Sequence, residues 1–328
     1  MKKLLLFLTI FASLISCEKS NEKAAPLQVS FNEQILDGYH VMSIAFDSKG
    51  NAWIGTFKQG LIKYNSHETI VYNSENSIIS DNSVIWDIAI DSKNNVWIGC
   101  EGLIKFDGNE FVLFNSGNTP IPEDFISKIA IDSKDNVWFS SSRFQQGGLV
   151  KYDGINWTVY TPDNSELPVN LIQGLAIDKN DNVWLAFTGV INNSCLAKIS
   201  GNKWEIYTSE DLGFNSYYVC DIKINKQNKL LGAIDYTFSS AIINNGPKIF
   251  TFDGSSTKQL QNDSITIKFI SVDNQDNIWC GIHGGYAVYN GQTWSIDDSS
   301  FNEGVFAIEQ SHDNKIWIGT GDGIRISN

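Results

Sequence analysis

The sequence predicts an all-β fold: a seven-bladed β-propeller of four-stranded antiparallel blades, with the last blade closed by the N-terminal strand. Three observations carry this reading. The unit Asp91 to Gly99 (DSKNNVWIG) recurs along the chain, each copy following a short apolar run and usually preceding a glycine-containing turn and a second run. The copies are spaced 38 to 49 residues apart, and a period of about 40–45 residues made of short strands is that of a propeller blade. The last copy is followed by too few residues for a whole blade, while a strand-like segment stands unused at the start.

The copies are Asp47–Gly55 (DSKGNAWIG), Asp132–Phe139 (DSKDNVWF), Asp178–Leu185 (DKNDNVWL), Asp273–Gly281 (DNQDNIWCG) and the looser Ser311–Gly319 (SHDNKIWIG). A weakened copy, Asn225–Gly232 (NKQNKLLG), reads as one residue short, with Leu230 in the place of Trp. In the second repeat, strands are expected at Val84–Ile90, Val96–Cys100, Leu103–Phe106 and Glu110–Phe114. Asp91–Asn95 joins the first two and Asp107-Gly108-Asn109 the last two; Asp-Gly is a hairpin signal because Gly tolerates the positive φ that tight turns need. The element recurs at Asp153-Gly154 and Asp253-Gly254, and as Asn290-Gly291. In the final repeat Val305–Ser311, Ile316–Thr320 and Gly323–Ser327 supply three strands, and Leu27–Phe31 the outer fourth. Closure of that kind removes exposed sheet edges.

The Trp column (53, 97, 138, 184, 279, 317) reads as wedges between neighbouring sheets, and a second column, Phe111, Trp157, Trp204 and Trp294, opens the outer strands. The DSKxN turns carry too few carboxylates for calcium. Their Asp and Asn are expected to cap the turn through its backbone N–H groups. No metal or other cofactor is expected.

Residues 1–16 stand apart from the fold. Lys2 and Lys3 precede an apolar run from Leu4 to Leu14, too short for a membrane-spanning helix of ~20 residues. The tetrapeptide Leu14-Ile15-Ser16-Cys17 resembles the lipobox of bacterial lipoproteins, which implies that Cys17 carries the lipid and begins the mature chain. The expected organisation is a lipoprotein signal peptide at 1–16, a flexible tether at 17–25 (charged and small residues) and the propeller at 26–328. The expected location is that of an exported, membrane-anchored lipoprotein of the outer membrane, with its periplasmic and surface faces both open.

Removing residues 1–16 takes two of the 24 Lys and Arg and none of the 37 Asp and Glu, moving the formal charge from −13 to −15. Such a surface repels nucleic acid, and the chain has only two arginines, Arg143 and Arg325. Nucleic-acid binding is set aside. Cys100, Cys195, Cys220 and Cys280 lie singly with no CxxC pair and read as buried thiols of strands; Cys195 and Cys220 are the nearest pair for a disulfide.

The pattern I-x-x-D-x-x-x-N-x-W-I-G-T followed by G-L-x-K-[YF], clearest at Ile44–Tyr64 and Ile88–Phe106, resembles the two-component regulator propeller repeat. The resemblance covers residues 27–328 and is poorest in the fifth repeat. It implies a seven-bladed sensor-input fold, found before kinase cores and in separate exported lipoproteins, particularly of Bacteroidetes. No kinase motif is present. A fold of this kind does not itself convey a function.

Strand order puts the DSKxN and Asp-Gly turns on one uniform face, and the second-to-third loops with the inter-blade connections on the other, where the repeats differ. Variable loops on a rigid scaffold are the usual place for binding. The candidate ligand-binding residues are Phe57, Lys58, Arg143, Phe144, Gln145, Phe187, Asn170, Tyr218, Tyr236 and His283. Aromatics beside amides suit a glycan; a peptide or an envelope protein stays open as partner, and a monomer is expected. The alternative is a lyase or hydrolase using His40, His283, Asp124 and Glu303 at the channel mouth, although the four histidines show no metal-ligand spacing and no G-x-S-x-G or H-E-x-x-H motif is present. A further alternative is a structural component of an envelope complex.

Overall fold

The computed structural model describes residues 25–143, 146–187, 194–214, 219–234, 249–260, 267–298, 301 and 304–328. Cys17, the signal and most of the tether, Phe144, Gln145, Tyr218, Tyr236 and Glu303 lie outside the described residues.

Seven four-stranded antiparallel sheets follow one another in chain order, each running from an inner to an outer strand. The inner strands are Val41–Phe46, Asp87–Ile90, Ile126–Ile131, Ile172–Ile177, Val219–Ile224, Phe269–Val272 and Val305–Gln310. This is the seven-bladed propeller that the repeat predicts. The last blade takes its outer strand from the N-terminus, but four residues later than expected: Phe31–Ile35 pairs with Gly323–Ser327, with Phe31 opposite Ser327 and Ile35 opposite Ile324. The segment predicted as that strand instead crosses the sixth blade, where Leu27 and Val29 pack against the Trp279 and Tyr286 cluster and the Val29 carbonyl accepts from Tyr286 Oη at 3.2 Å.

One carboxylate organises each regular blade. Asp91 Oδ1 accepts the N–H groups of Lys93 and Asn95, while Oδ2 accepts Asn95 Nδ2 at 2.6 Å and Trp97 Nε1 at 3.1 Å. Asp47, Asp132, Asp178 and Asp273 repeat the set with Trp53, Trp138, Trp184 and Trp279 at 2.9–3.2 Å. The turn is thus capped as expected, and the same carboxylate satisfies the one polar atom of the buried indole. Each Trp then enters the core of the next blade: Trp53 packs with Val96, Ile98 and Phe106, and Trp97 with Val137, Phe139 and Val150. The Lys of the G-L-x-K pattern covers the other side of the ring, with Lys63, Lys105, Lys151 and Lys198 Nζ 5.0–5.7 Å from the indole centroids, a cation–π geometry. The outer aromatic column is packing too: Phe111 stacks on Phe106 at 4.1 Å and Trp157 on Tyr152 at 4.2 Å.

The fifth blade corrects the alignment. Its turn has full length, with Asn225 N–H bonded to the Lys229 carbonyl as Asp91 N–H is to that of Asn95. Leu231 pairs with Lys223 as Trp97 pairs with Ala89, so Leu231, not Leu230, holds the Trp position and packs against Ile278 and Cys280. Gly232 takes the place of Ile98, and a Cβ there would lie 2.2 Å from the Phe250 ring; this glycine admits an aromatic rather than marking the usual close approach. No disulfide joins Cys100, Cys195, Cys220 and Cys280.

Asp91→Ala removes four accepted hydrogen bonds and leaves the Trp97 indole N–H buried without a partner. A loss of about 3 kcal/mol is expected, read as a lower urea midpoint at unchanged m-value. Asn225→Ala, in the blade whose wedge is Leu231, is expected to cost about 1 kcal/mol, the turn cap alone.

Candidate functional site

The second-to-third loops and the inter-blade connections meet on one face, tied by main-chain bonds such as Lys58 N–H to the Ser83 carbonyl at 3.1 Å and Ser142 N–H to that of Phe125 at 3.0 Å. Five inner strands carry a β-bulge near this face, including those at Val41–Ser43 and Val305–Ala307. A bulge inserts one residue and re-aims side chains. Phe306, inside such a bulge, packs on His40 with ring centres 4.5 Å apart, and Phe57 lies on His40 at 5.3 Å. Lys268 Nζ stands 5.9 Å from the Phe306 ring and Lys58 Nζ 5.4 Å from that of Phe57. Two blades round, Trp86 contacts Phe125 at 5.4 Å, and the Arg143 guanidinium lies over Phe125 at 5.8 Å. The mouth of the channel therefore carries two aromatic groups, the first flanked by Lys58 and Lys268 and the second by Arg143.

Below the mouth the inner strands of non-adjacent blades bring charges together. Lys128 Nζ of the third blade is 3.6 Å from Asp221 Oδ1 of the fifth. Asp87 and Asp221 sit at equivalent register positions, opposite Gly99 and Ala233, and each accepts a main-chain N–H of the next blade: Ile129 at 2.8 Å and Ile270 at 3.0 Å. Lys128 keeps 31 % of its side-chain surface while Asp221 keeps 4 %; that surface faces the channel, where strands wall it on every side. Accordingly burial pushes the Asp87 carboxyl up, against the pull of Lys128 and Lys223, and the Asp221 charge holds the Lys128 ammonium above its usual value. Glu309 of the seventh blade is raised to about 7 by burial, with Lys223 opposing and Asp87 adding to the rise.

The structure divides the sequence-derived candidates. Phe57, Lys58 and Arg143 are exposed at the mouth, Phe57 keeping 40 % of its surface. Asn170 is partly buried at the entry to the fourth inner strand. Phe187 is corrected: it is fully buried among Leu167, Ile172 and Leu185 and has no face to offer a ligand. Asp124 braces its loop, accepting Ser116 N–H at 2.7 Å through its carboxylate and Gly102 N–H at 2.6 Å through its carbonyl. His283 stands exposed on the turn between Ile278–Ile282 and Gly285–Tyr289, with no hydrogen bond or ring contact to His40. The His40 ring is enclosed, its Nε2 buried without a partner and its pKa lowered by that burial. Among the described residues no group of three His, Cys, Asp or Glu side chains is arranged to hold a metal.

The profile of the two-component regulator propeller family matches residues 35–58 and 79–102, the start of the first blade and its counterpart in the second. These two segments carry the two-component regulator propeller repeat. No relative was found among curated proteins. Similar solved structures include the extracellular domain of a hybrid two component system from B. thetaiotaomicron, at 19 % identity and TM-score 0.71, covering 93 % of this chain and 41 % of that one. This chain thus spans about two fifths of the extracellular domain it matches. A streptogramin B lyase is similar at 15 % identity and TM-score 0.70, covering 92 % and 97 %. YCF48 from Cyanidioschyzon merolae is similar at 11 % identity and TM-score 0.65, covering 90 % and 97 %. At these identities the likeness is one of fold.

Sequence reasoning missed Trp86, Phe125, Lys268 and Phe306 at the mouth, and Asp87, Lys128, Asp221, Lys223 and Glu309 in the channel. The signal for the second group was present: charged residues interrupt otherwise apolar inner strands.

Glu309 sets a pH dependence. Its folded pKa lies above the usual glutamate value of ~4.3, so the native state holds a proton that the unfolded chain releases. Stability from this group is complete below about pH 4 and falls as pH rises to about 7. Glu309→Gln is expected to flatten thermal stability between those limits and to gain about 1–2 kcal/mol at pH 8, the full shift being screened by channel water. Melting temperatures of both proteins across that range check it.

Proposed function

We propose that this chain is an exported, lipid-anchored and non-enzymatic input module that binds a glycan at its channel mouth. The observation that carries the reading is the pair of cation-flanked aromatic groups, His40 with Phe57 and Phe306, and Trp86 with Phe125. Aromatic faces suit the C–H face of a sugar ring, and Lys58, Arg143 and Lys268 supply donors to its oxygens. The likeness to extracellular domains of hybrid two component systems supports an input role outside the cytoplasm. The enclosure of His40 and its separation from His283 favour binding over proton transfer. Anchoring at Cys17 to the outer membrane belongs to this proposal and follows from the lipobox resemblance.

Glycan arrays probed with the chain lacking residues 1–17 are expected to show a binder that Trp86→Ala weakens at least about tenfold, the worth of one stacking ring, with no loss of melting temperature beyond that of a surface change. Arrays that stay blank, or binding indifferent to Trp86→Ala and Phe57→Ala, would defeat the glycan reading. For the anchor, the full chain is expected to partition into detergent and Cys17→Ser into the aqueous phase; equal partition would remove it.

A further inference from the structure

On the uniform face, a groove of about 510 Å³ opens at the seam between the last blade and the first, with Gly50, Tyr64, His312 and Trp317 in its lining. Two ties found at other seams are missing here. At five of the other six seams the second residue of a DSKxN turn gives its backbone N–H to the side chain of the fourth residue in the next turn, and at the sixth Asn274 N–H is taken by Gln310 Oε1 at 2.6 Å. Ser48 bonds Asn94, Ser92 bonds Asp135, Ser133 bonds Asp181, Lys179 bonds Asn228 and Lys226 bonds Asp276, all at 2.7–3.0 Å. At the closing seam the donor is His312 and the residue facing it is Gly50, which has no acceptor to give. The second missing tie is the carboxylate of the clasp. Ser311 stands where five blades hold Asp, yet Trp317 is kept, and its Nε1 is buried without a partner in a side chain only 8 % exposed.

The groove supplies charge as well as unmet donors. Lys49, Lys315, His67 and His312 line it against Glu33 and Asp313. Asp313 is engaged by Ser311 Oγ, and Glu33 by Lys315 at 3.5 Å in a pair whose side chains keep 51 % and 39 % of their surface, a weak and easily exchanged contact. The Asn51 and Asn65 amides are spent within the turns, Asn51 Nδ2 on Asp47 and Asn65 Nδ2 on Asn51, while Phe46 and Tyr64 bring rings, both set against Trp317 at 5.2 and 5.8 Å. The volume is that of a site for a small ligand.

We propose that this seam groove binds a small sugar acid of the uronate class, its carboxylate lying against the His312 N–H as Asp135, Asp181 and Asp276 lie against the equivalent N–H groups of their seams. Lys49 and Lys315 balance the charge and donate to hydroxyls, and Trp317 Nε1 is the inner donor. The site lies on the face opposite the channel mouth, so the two readings stand or fall separately.

The test is a titration of ¹⁵N-labelled protein with glucuronate and, separately, with glucose. Glucuronate is expected to give saturable shifts at the His312 amide and the Trp317 indole, and glucose none. Gly50→Asp is expected to weaken glucuronate at least about tenfold, since its own carboxylate takes the His312 N–H. That variant is expected to fold and to melt no lower than the parent, because Asp135, Asp181 and Asp276 hold the same turn position at φ 62°, 59° and 62°. Absence of shifts with glucuronate, equal response to glucose, or undiminished binding by Gly50→Asp overturns the proposal. So does binding of an aspartate-bearing peptide where glucuronate fails, which would make the groove a protein contact.

Discussion

A buried indole has one polar atom, and this fold is arranged around satisfying it. Five blades bring an Asp carboxylate to that N–H from the adjoining turn, so the ring can serve as a wedge without an orphaned donor. The wedge fills the space between neighbouring sheets, and the curvature of the ring follows from repeating it. The two irregular blades show the dependence from opposite sides. In the fifth, Asn225 replaces Asp and Leu231 replaces Trp, so donor and acceptor disappear together and nothing is left unpaired. In the seventh only the acceptor is lost, and the indole of Trp317 remains with its N–H unmet.

Most of the architecture was legible because a propeller is a period, and a period survives substitution at any single position. The errors came where one residue type served two purposes. Gly232 was aligned with the glycines that end the other units, which sit where a neighbouring strand or side chain approaches closely. It is there instead to make room for Phe250. Counting the turn from Asn225, whose length is the same in every blade, places Leu231 correctly. The N-terminal strand was misplaced because Leu27–Phe31 and Phe31–Ile35 both read as short extended segments, and the first also packs, though against the sixth blade. Alternation alone cannot tell a strand from a covering segment.

The site was less legible, for a geometric reason. Lys128 and Asp221 are separated by a whole blade and by 93 positions in sequence, and only the closed ring brings them within reach. Phe306 is turned to the mouth by a bulge that no period records. Phe187 failed in the other direction: an aromatic at the end of a second strand reads as a rim residue, but its ring packs among Leu167, Ile172 and Leu185 and is buried. The uniform face was discounted because its turns repeat. At the closing seam two departures coincide, Gly50 in place of an acceptor and Ser311 in place of Asp.

Closure also fixes an order of events. The outer strand of the last blade is made before the other six blades and the three strands it joins after them, so the contacts that lock them are remote in sequence: Gln34 Nε2 donates to the Asp322 carbonyl across 288 positions. Contacts so remote in sequence are slow to form. Until Gly323–Ser327 emerges, the segment that becomes the closing strand has no partner, and the sixth blade, where Leu27 and Val29 settle, is itself a late product. The growing chain must therefore carry an unpaired β-segment ahead of its blades until the last of them is made. The polar and charged residues Asn32, Glu33 and Gln34 in its middle keep that waiting segment from pairing with the wrong edge.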